Sequence, residues 1–154
     1  MYIDDFAQIA NDFLNAVHSQ VWCNVATVDG HNRPRSRVLH PIWENGSDST
    51  TGWIATGRTS LKAKHLEHNP HVSLAYLKDP LKPVYIDAVG EWVDEPDEKR
   101  RVWTLLQTTP PPLGYDPTPF FGSVESPAYG LLKLTPTRIE LADLFGQARV
   151  WRRG

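Results

Sequence analysis

The sequence has one cysteine, one methionine and no long apolar segment. A single cysteine excludes an internal disulfide and is typical of a reducing compartment, which favours a cytoplasmic location. The apolar runs have the length of strands, well short of the ~20 residues that a membrane-spanning helix requires. The net charge of −2 provides no broad basic field, so we expect neither nucleic acid nor a membrane surface as a partner.

Proline and tryptophan are abundant instead, with 13 and 6 copies among 154 residues. The length suits one domain with its own core, so we expect a single domain over residues 1–154. The prolines cluster between Thr108 and Pro127, which predicts a long loop that serves either as a substrate lid or as a dimer-packing segment. The tryptophans indicate core or dimer-interface positions.

Short apolar runs separated by turn signals predict a mainly β protein with a few helices. Apolar residues from Ile3 to Val17 recur at helical spacing, and further helices are predicted from Ser60 to His68 and from Asp97 to Leu106. The predicted strands are VWCNVATV, PRSRVLHPIW, GWIAT, HVSLAY, VYIDAVGEWV with a bulge at Gly90, YGLLKL, TRIELADLF and ARVWRR. Hairpin connections between them favour an antiparallel barrel over a parallel α/β sheet.

Cationic and hydroxyl side chains lie on one predicted strand and at the start of the predicted helix that follows it in the sequence. Arg35 and Arg37 are two residues apart, so both leave a strand from the same face. Thr59 or Ser60 occupies the N-cap position of the next helix, and Lys62 falls in its first turn, beside free backbone amides. Together these groups suit a phosphate ester, and the plain alternative is a solvated, charged surface.

Four segments, taken together, resemble the pyridoxamine 5′-phosphate oxidase-like family of FMN-binding split β-barrels. They are Gly30–Leu39, Thr56–Pro70, Val72–Tyr76 and Thr135–Glu140, with ARVWRR behind the last. The likeness runs from about Val17 to Arg152. It implies an antiparallel split β-barrel and a homodimer that binds two FMN molecules at the interface between its barrels.

The resemblance also implies a set of cofactor-binding residues. The set comprises Arg35, Arg37, Val38, Leu39, Thr56, Ser60, Lys62, Tyr85 and Arg149. Arg37 and Lys62 would hold the phosphate, and Ser60 would add its hydroxyl and the helix N-terminus. Val38 and Leu39 would present backbone to the flavin ring.

The remaining members of the set have less direct roles. Thr56 would contact the flavin ring or the ribityl chain, and Arg149 matches a late arginine that reaches the flavin. Tyr85 stands where the oxidase has a flavin-contacting glutamine. Arg35 has no fixed role in the family and is included because its strand face places it beside Arg37.

The sequence departs from the oxidase pattern at several positions. Leu61 replaces an arginine that often precedes the helix lysine, and Ala142 replaces a tryptophan near the ring. Ile42 stands where the oxidase has a substrate-binding lysine, and the Pro-rich segment has no Arg/Ser motif for a substrate phosphate. These departures argue against pyridoxamine 5′-phosphate as the substrate. They leave open FMN or a deazaflavin, coenzyme F-420, as the cofactor.

We expect an FMN-dependent oxidoreductase that acts on an unidentified small organic substrate. The flavin carries the redox chemistry, so no catalytic side chain is named. His65, His68 and His71 lack a carboxylate or cysteine to complete a metal site, and a solvated helix end explains them better. The alternatives are a coenzyme F-420-dependent reductase on the same fold and a flavin- or haem-binding protein without turnover.

Overall fold

The structure is a computed structural model that describes all of residues 1–154. Most of its regular elements are strands. The strands are β1 (Tyr2–Ile3), β2 (Cys23–Val28), β3 (Pro34–Leu39), β4 (Ile42–Asn45), β5 (Thr50–Gly57), β6 (His71–Tyr76), β7 (Val84–Trp92), β8 (Tyr129–Leu141) and β9 (Arg149–Arg152). The helices are α1 (Ala10–Gln20), α2 (Leu61–His68), α3 (Pro96–Thr108) and α4 (Thr118–Phe121). The predicted class, mainly β with a few helices, is therefore confirmed. No helix has the length and apolar character needed to span a membrane.

All the strands join one mixed sheet that does not close into a ring. Its main path runs β1-β9-β8-β7-β6-β2-β3, and the long β8 also pairs with β5, which pairs with β4. Every pair is antiparallel except β1 with β9, which are parallel. The prediction of a wholly antiparallel sheet is therefore wrong for the pairing of β1 with β9. Ile3 of β1 also lies in a segment whose spacing predicts a helix.

The N-terminal segment is helical only from Ala10, not from Ile3 as the spacing predicts. Pairing with β9 keeps Ile3 extended. Asp5 then caps a single 3₁₀ turn by accepting a hydrogen bond from the backbone N–H of Ala7 at 3.0 Å. The predicted apolar stripe is nevertheless in the core, where Phe13 is fully buried.

β8 is one continuous strand where the sequence predicts two. Pro136 cannot donate a hydrogen bond, and it lies opposite Ala88, where the β7–β8 register shifts between Asp87 and Ala88. The hydroxyl of Thr137 donates to the Asp87 carbonyl at 3.2 Å and supports this irregularity. The bulge is therefore here and not at Gly90. At Gly90 a Cβ would lie 3.1 Å from a side-chain carbon of β6.

Two apolar clusters form the core. The larger one fills the space between the inner face of the sheet and α1. The smaller one lies under α3 and contains Ile42, Trp53, Val102, Trp103, Leu106, Tyr129 and Leu131. Residues of the Pro-rich segment pack against the smaller cluster, so that segment is tied to the strands that border the candidate site.

An ion-pair network fixes α3 to β4 and β5. The guanidinium of Arg101 donates to both carboxylate oxygens of Glu44, at 2.9 and 3.1 Å, and to Glu98 of its own helix. The indole N–H of Trp53 donates to the same Glu44 carboxylate at 2.8 Å. Because α3 leads directly into the Pro-rich segment, this network also sets where that segment begins.

Candidate functional site

Arg37 lies on the core-facing side of the edge strand β3. It pairs with Val25 of β2, and its guanidinium Nη1 donates to the Val25 carbonyl at 3.2 Å and to Thr27 Oγ1 at 2.8 Å. Both partners are neutral, and Arg37 forms no ion pair. Burial lowers the pKa of Arg37, as expected for a charge that is half-buried without a counter-ion.

Thr27 connects Arg37 to helix α2. Its hydroxyl accepts from Arg37, so its own hydrogen is free to donate to Nδ1 of His65, which lies 2.9 Å away. When Nδ1 accepts from this hydroxyl, the ring proton of His65 is on Nε2. Thr27 is 2% exposed, so both of its hydrogen bonds are made away from bulk water. The sequence predicts that His65 lies at a solvated helix end. This prediction is wrong, because His65 is half-buried against β2.

Lys62 approaches the same region from the first turn of α2. Its ammonium donates to Ser60 Oγ at 3.0 Å, and Ser60, the N-cap residue, makes no side-chain capping bond. Burial, and after it the positive charge of Arg37, lowers the pKa of Lys62. The predicted cluster of Arg37, Ser60 and Lys62 therefore exists, and it holds two cations together with no carboxylate paired to either.

Arg35 shares the strand face of Arg37 but is engaged elsewhere. Its Nε donates to Asp29 at 3.2 Å, and its side chain is 57% exposed. The Asp29 carboxylate also accepts from the backbone amides of Arg33 and His31, at 3.0 and 2.8 Å. These contacts, the Arg33 amide first and the Arg35 guanidinium less, lower the pKa of Asp29 to about 2. Arg35 thus helps to fix the β2–β3 turn at the edge of the cluster.

A pocket of about 530 Å³ opens beside these cations, between β3, β5 and the Pro-rich segment. Its lining comprises Trp22, Val38, Leu39, His40, Ile54, Ala55, Thr56, Gly57, Pro112, Tyr115, Phe120 and Phe121. Gly57 ends β5 immediately before the turn that leads to Ser60 and Lys62, so the pocket and the cation cluster are neighbours. The predicted residues Val38, Leu39 and Thr56 all lie here.

One wall of the pocket is built from four rings in series, here called the aromatic wall: Trp22, His40, Tyr115 and Phe120. The ring centroids of Trp22 and His40 are 4.8 Å apart, those of His40 and Tyr115 5.0 Å, and those of Tyr115 and Phe120 5.8 Å. Trp22 and Phe120 are 58% and 70% exposed at the mouth. The Pro-rich segment therefore lines the same pocket as the predicted cofactor residues Val38, Leu39 and Thr56. Its sequence alone left open whether it serves as a substrate lid or as a dimer-packing segment.

His40 ties the Pro-rich segment to the end of β3. Its Nε2 lies 2.6 Å from the carbonyl oxygen of Leu113, and since a carbonyl can only accept, Nε2 carries the proton. Burial lowers the pKa of His40, and the bond to Leu113 opposes that shift to a smaller extent. No local pattern in the sequence indicates His40, Trp22 or Thr27, because each acts through a partner that is distant along the chain.

Comparison with known proteins places this geometry in a family. Residues 10–143 match the sequence model of pyridoxamine 5′-phosphate oxidase. The chain belongs to this family. No curated protein sequence matches it.

Solved structures support the fold of the pyridoxamine 5′-phosphate oxidase family. A pyridoxamine 5′-phosphate oxidase-related, FMN-binding protein from Nostoc punctiforme has a TM-score of 0.70 at 17% identity, covering 95% of this chain and 91% of that one. A protein from Clostridium acetobutylicum, related to general stress protein 26, reaches 0.72 at 13% identity, with 94% of each chain covered. HutZ, a haem storage protein from Vibrio cholerae, reaches 0.61 at 18% identity, covering 86% and 90%.

Tyr85 and Arg149, the other two residues expected from the oxidase family, lie outside the pocket of their own chain. Tyr85 projects from the outer face of β7 and is 37% exposed. Arg149 forms an ion pair with Asp12 of α1 at 2.8 Å and borders a separate cavity of about 220 Å³ that also includes Ala142. The predicted cofactor residues therefore fall into two groups on one chain.

Proposed function

We propose that this protein is an FMN-dependent oxidoreductase whose cofactor site is shared by two copies of the chain. The observation that carries the proposal is the pair Arg37 and Lys62. Both are half-buried, each donates only to neutral groups, and no carboxylate neutralises them. Burial, and to a smaller extent the positive charge of Arg37, lowers the pKa of Lys62, so a bound anion would stabilise the charged forms of both side chains.

A phosphate monoester suits this cluster. Its oxygens would accept charge-assisted hydrogen bonds from Arg37 and Lys62, and the hydroxyl of Ser60 keeps its hydrogen available after accepting from Lys62. The first backbone amides of α2 have no partner within the helix, and they add donors and the positive end of the helix dipole. Attraction to the anion would offset the desolvation penalty that lowers the pKa values of Arg37 and Lys62.

The neighbouring pocket suits the rest of FMN. Its volume of about 530 Å³ lies in the range usual for small-molecule sites. Val38, Leu39 and Thr56 would flank the ring and the ribityl chain, close to the cations that hold the phosphate. When bound, the flavin supplies hydride or single-electron transfer. The residues of the chain anchor it, orient its ring and exclude water, so we name no catalytic side chain.

A second copy of the chain would complete the site. The outer face of the sheet carries a cross-strand row of Val38, Asn24, Ala75 and Tyr85, none of them buried. Exposed apolar side chains such as Trp22 and Leu77 border this row. Surfaces of this kind favour association, and a twofold dimer through this face would bring Tyr85 of one copy toward the other copy's pocket.

The proposal also covers the type of sheet, the location of the protein and the alternative cofactor. We assign the sheet to the FMN-binding split β-barrel type, supported by the Nostoc punctiforme neighbour. We place the protein in the cytoplasm, supported by its single buried, unpaired cysteine. Coenzyme F-420 remains the alternative cofactor, because its phosphate would suit the same cations.

The substrate proposed here is not pyridoxamine 5′-phosphate. That molecule has a phosphate of its own and needs a second cationic group. Ile42, which stands at the oxidase's lysine position, is 3% exposed within the smaller core cluster. The Pro-rich segment, residues 108–127, contains no lysine or arginine, and no charged side chain lines the pocket.

Haem binding without turnover is a second candidate. The observation that favours it is His40, an imidazole inside an aromatic pocket, in a fold shared with a haem storage protein. The Nε2–H of His40 is, however, donated to Leu113. An axial bond from that nitrogen to iron would require this hydrogen bond to break.

The absorbance spectrum of the purified protein distinguishes these candidates, measured together with its mass in solution. We expect the spectrum of oxidised FMN and a mass about twice the 17.4 kDa of the chain. A Soret band would favour haem, and a deazaflavin spectrum would favour coenzyme F-420. A monomer that binds FMN tightly would contradict the shared site.

A further inference from the structure

The aromatic wall and the cations that would anchor FMN belong to different parts of the site. The cations that would fix FMN lie past Gly57, whereas Tyr115 and Phe120 come from the Pro-rich segment on the opposite side of the pocket. Phe120 is 70% exposed, so a large apolar ring stands open at the mouth. With FMN anchored at the cations, this ring would be open to contact with a second molecule.

The polar groups around the wall are neutral. Tyr115 is a neutral phenol whose pKa is raised further by burial. Its hydroxyl has no protein partner, unlike that of Tyr129, which donates to the Lys99 carbonyl. The hydroxyl of Thr56 likewise faces no partner side chain. Asp116 follows Tyr115 in sequence, but its carboxylate accepts from Thr118 and from Gln107, outside the pocket.

We infer that the substrate is a planar, uncharged aromatic compound that stacks on Tyr115 and Phe120 of the aromatic wall. This inference rests on the proposed function, since it places the compound beside a bound flavin. Aromatic faces provide large apolar contacts with preferred stacking geometries. An anionic compound of the same shape would lose its hydration without gaining a cationic partner.

A matched pair of probes tests the inference on the FMN-loaded protein. Naphthalene-2-carboxamide and naphthalene-2-carboxylate have nearly the same size and shape and differ in charge. Calorimetric titration should show the carboxamide binding at least about tenfold more tightly, which corresponds to roughly 1.4 kcal/mol. Replacement Tyr115→Ala should weaken the carboxamide severalfold, and Tyr115→Phe, which keeps the ring, should weaken it less.

A charge placed at the mouth should alter this preference. Phe120→Arg changes an exposed residue, so it should fold, and it should tighten carboxylate binding about two- to fivefold while weakening the carboxamide. Ser123→Arg adds the same charge to an exposed position of the same segment outside the pocket, and it should change neither affinity. This pair separates a local contact from a general effect of charge.

The titrations also separate this inference from the proposed function. Flavin fluorescence records FMN binding before any naphthalene compound is added, and failure at that step would count against the proposed function itself. If FMN binds and the carboxylate binds as tightly as the carboxamide, the inference is wrong. It is also wrong if neither compound binds at millimolar concentration, or if Ser123→Arg acts like Phe120→Arg.

Discussion

The site has a cationic end, formed by Arg37 and Lys62, and an aromatic end, formed by the aromatic wall. The two ends differ in the partners that their polar side chains have. At the cationic end, Arg37 and Lys62 are half-buried, like-charged and paired only with neutral oxygens. At the aromatic end, the rings of His40 and Tyr115 pack against each other, and the one strong polar contact, His40 with Leu113, joins neutral groups. The cationic end lacks a counter-charge, and the aromatic end has no charged side chain.

The two ends therefore recognise different parts of a ligand. A cluster of uncompensated cations selects for an anion, because only a counter-charge offsets the desolvation of both. A wall of rings selects for flat apolar surface and discriminates against charge. A molecule with a phosphate at one end and a fused ring at the other, such as FMN, satisfies both.

The largest effect is expected when Arg37 is removed. Arg37→Ala should weaken FMN binding about ten- to a hundredfold, since a charge-assisted hydrogen bond contributes about 1.5–3 kcal/mol. Riboflavin, which lacks the phosphate, should lose far less affinity. Fluorescence titration of both ligands checks this, and equal losses would show that Arg37 does not contact phosphate. Arg37→Lys should restore only part of the affinity if the contact is bidentate.

Lys62→Ala should have the next largest effect, with the same preference for FMN over riboflavin. We expect a loss of about tenfold, because one ammonium contact is removed while Arg37 remains. The same titration applies, with Lys64→Ala, an exposed lysine two residues on, as the control. If Lys64→Ala weakens FMN binding as much as Lys62→Ala does, the effect is one of net charge and not of a site.

Replacement of Thr27 tests whether Arg37 must be held in position to bind the phosphate. Thr27→Val keeps the shape but leaves Arg37 Nη1 and His65 Nδ1 without a shared partner, at a cost of about 1 kcal/mol, or about fivefold in FMN affinity. Thr27→Ser retains the hydroxyl and should restore binding. Riboflavin affinity should stay nearly constant, and a parallel loss for both flavins would assign Thr27 a merely structural role.

The smallest effect is expected at Arg35. Its guanidinium is more than half exposed and already paired with Asp29, so Arg35→Ala should weaken FMN binding less than about threefold. Because the pKa of Asp29 is depressed, its contribution to stability is present above its ordinary titration range. That contribution is lost as the pH falls toward about 2, the pKa of Asp29 in the folded protein. Acid unfolding of Arg35→Ala should therefore begin at slightly higher pH than that of the unmodified protein.

The sequence predicts the cationic end better than the aromatic end, for a physical reason. Strand parity places Arg37 on one face, and Ser60 as the N-cap places Lys62 in the first turn of α2, so local rules suffice. His40 and Tyr115 meet only because the Pro-rich segment returns across the pocket, and no local pattern encodes that return.

The fold shows the same division between local and distant determinants. Hairpins and the mainly β class follow from local alternation of apolar residues. The parallel β1–β9 pair joins the two ends of the chain, and the continuity of β8 through Pro136 depends on an irregularity in β7, so neither could be read from its own segment. Tyr85 and Arg149 cannot be assigned to the pocket from one chain, because they lie outside it.

The ratio of FMN to riboflavin affinity in the unmodified protein shows whether Arg37 and Lys62 bind a phosphate. The two ligands share the ring and the ribityl chain and differ only in the phosphate. If Arg37 and Lys62 form a phosphate site, FMN should bind at least about a hundredfold more tightly, and inorganic phosphate should compete with FMN but not with riboflavin. Equal affinities for FMN and riboflavin, unaffected by phosphate, would contradict the account.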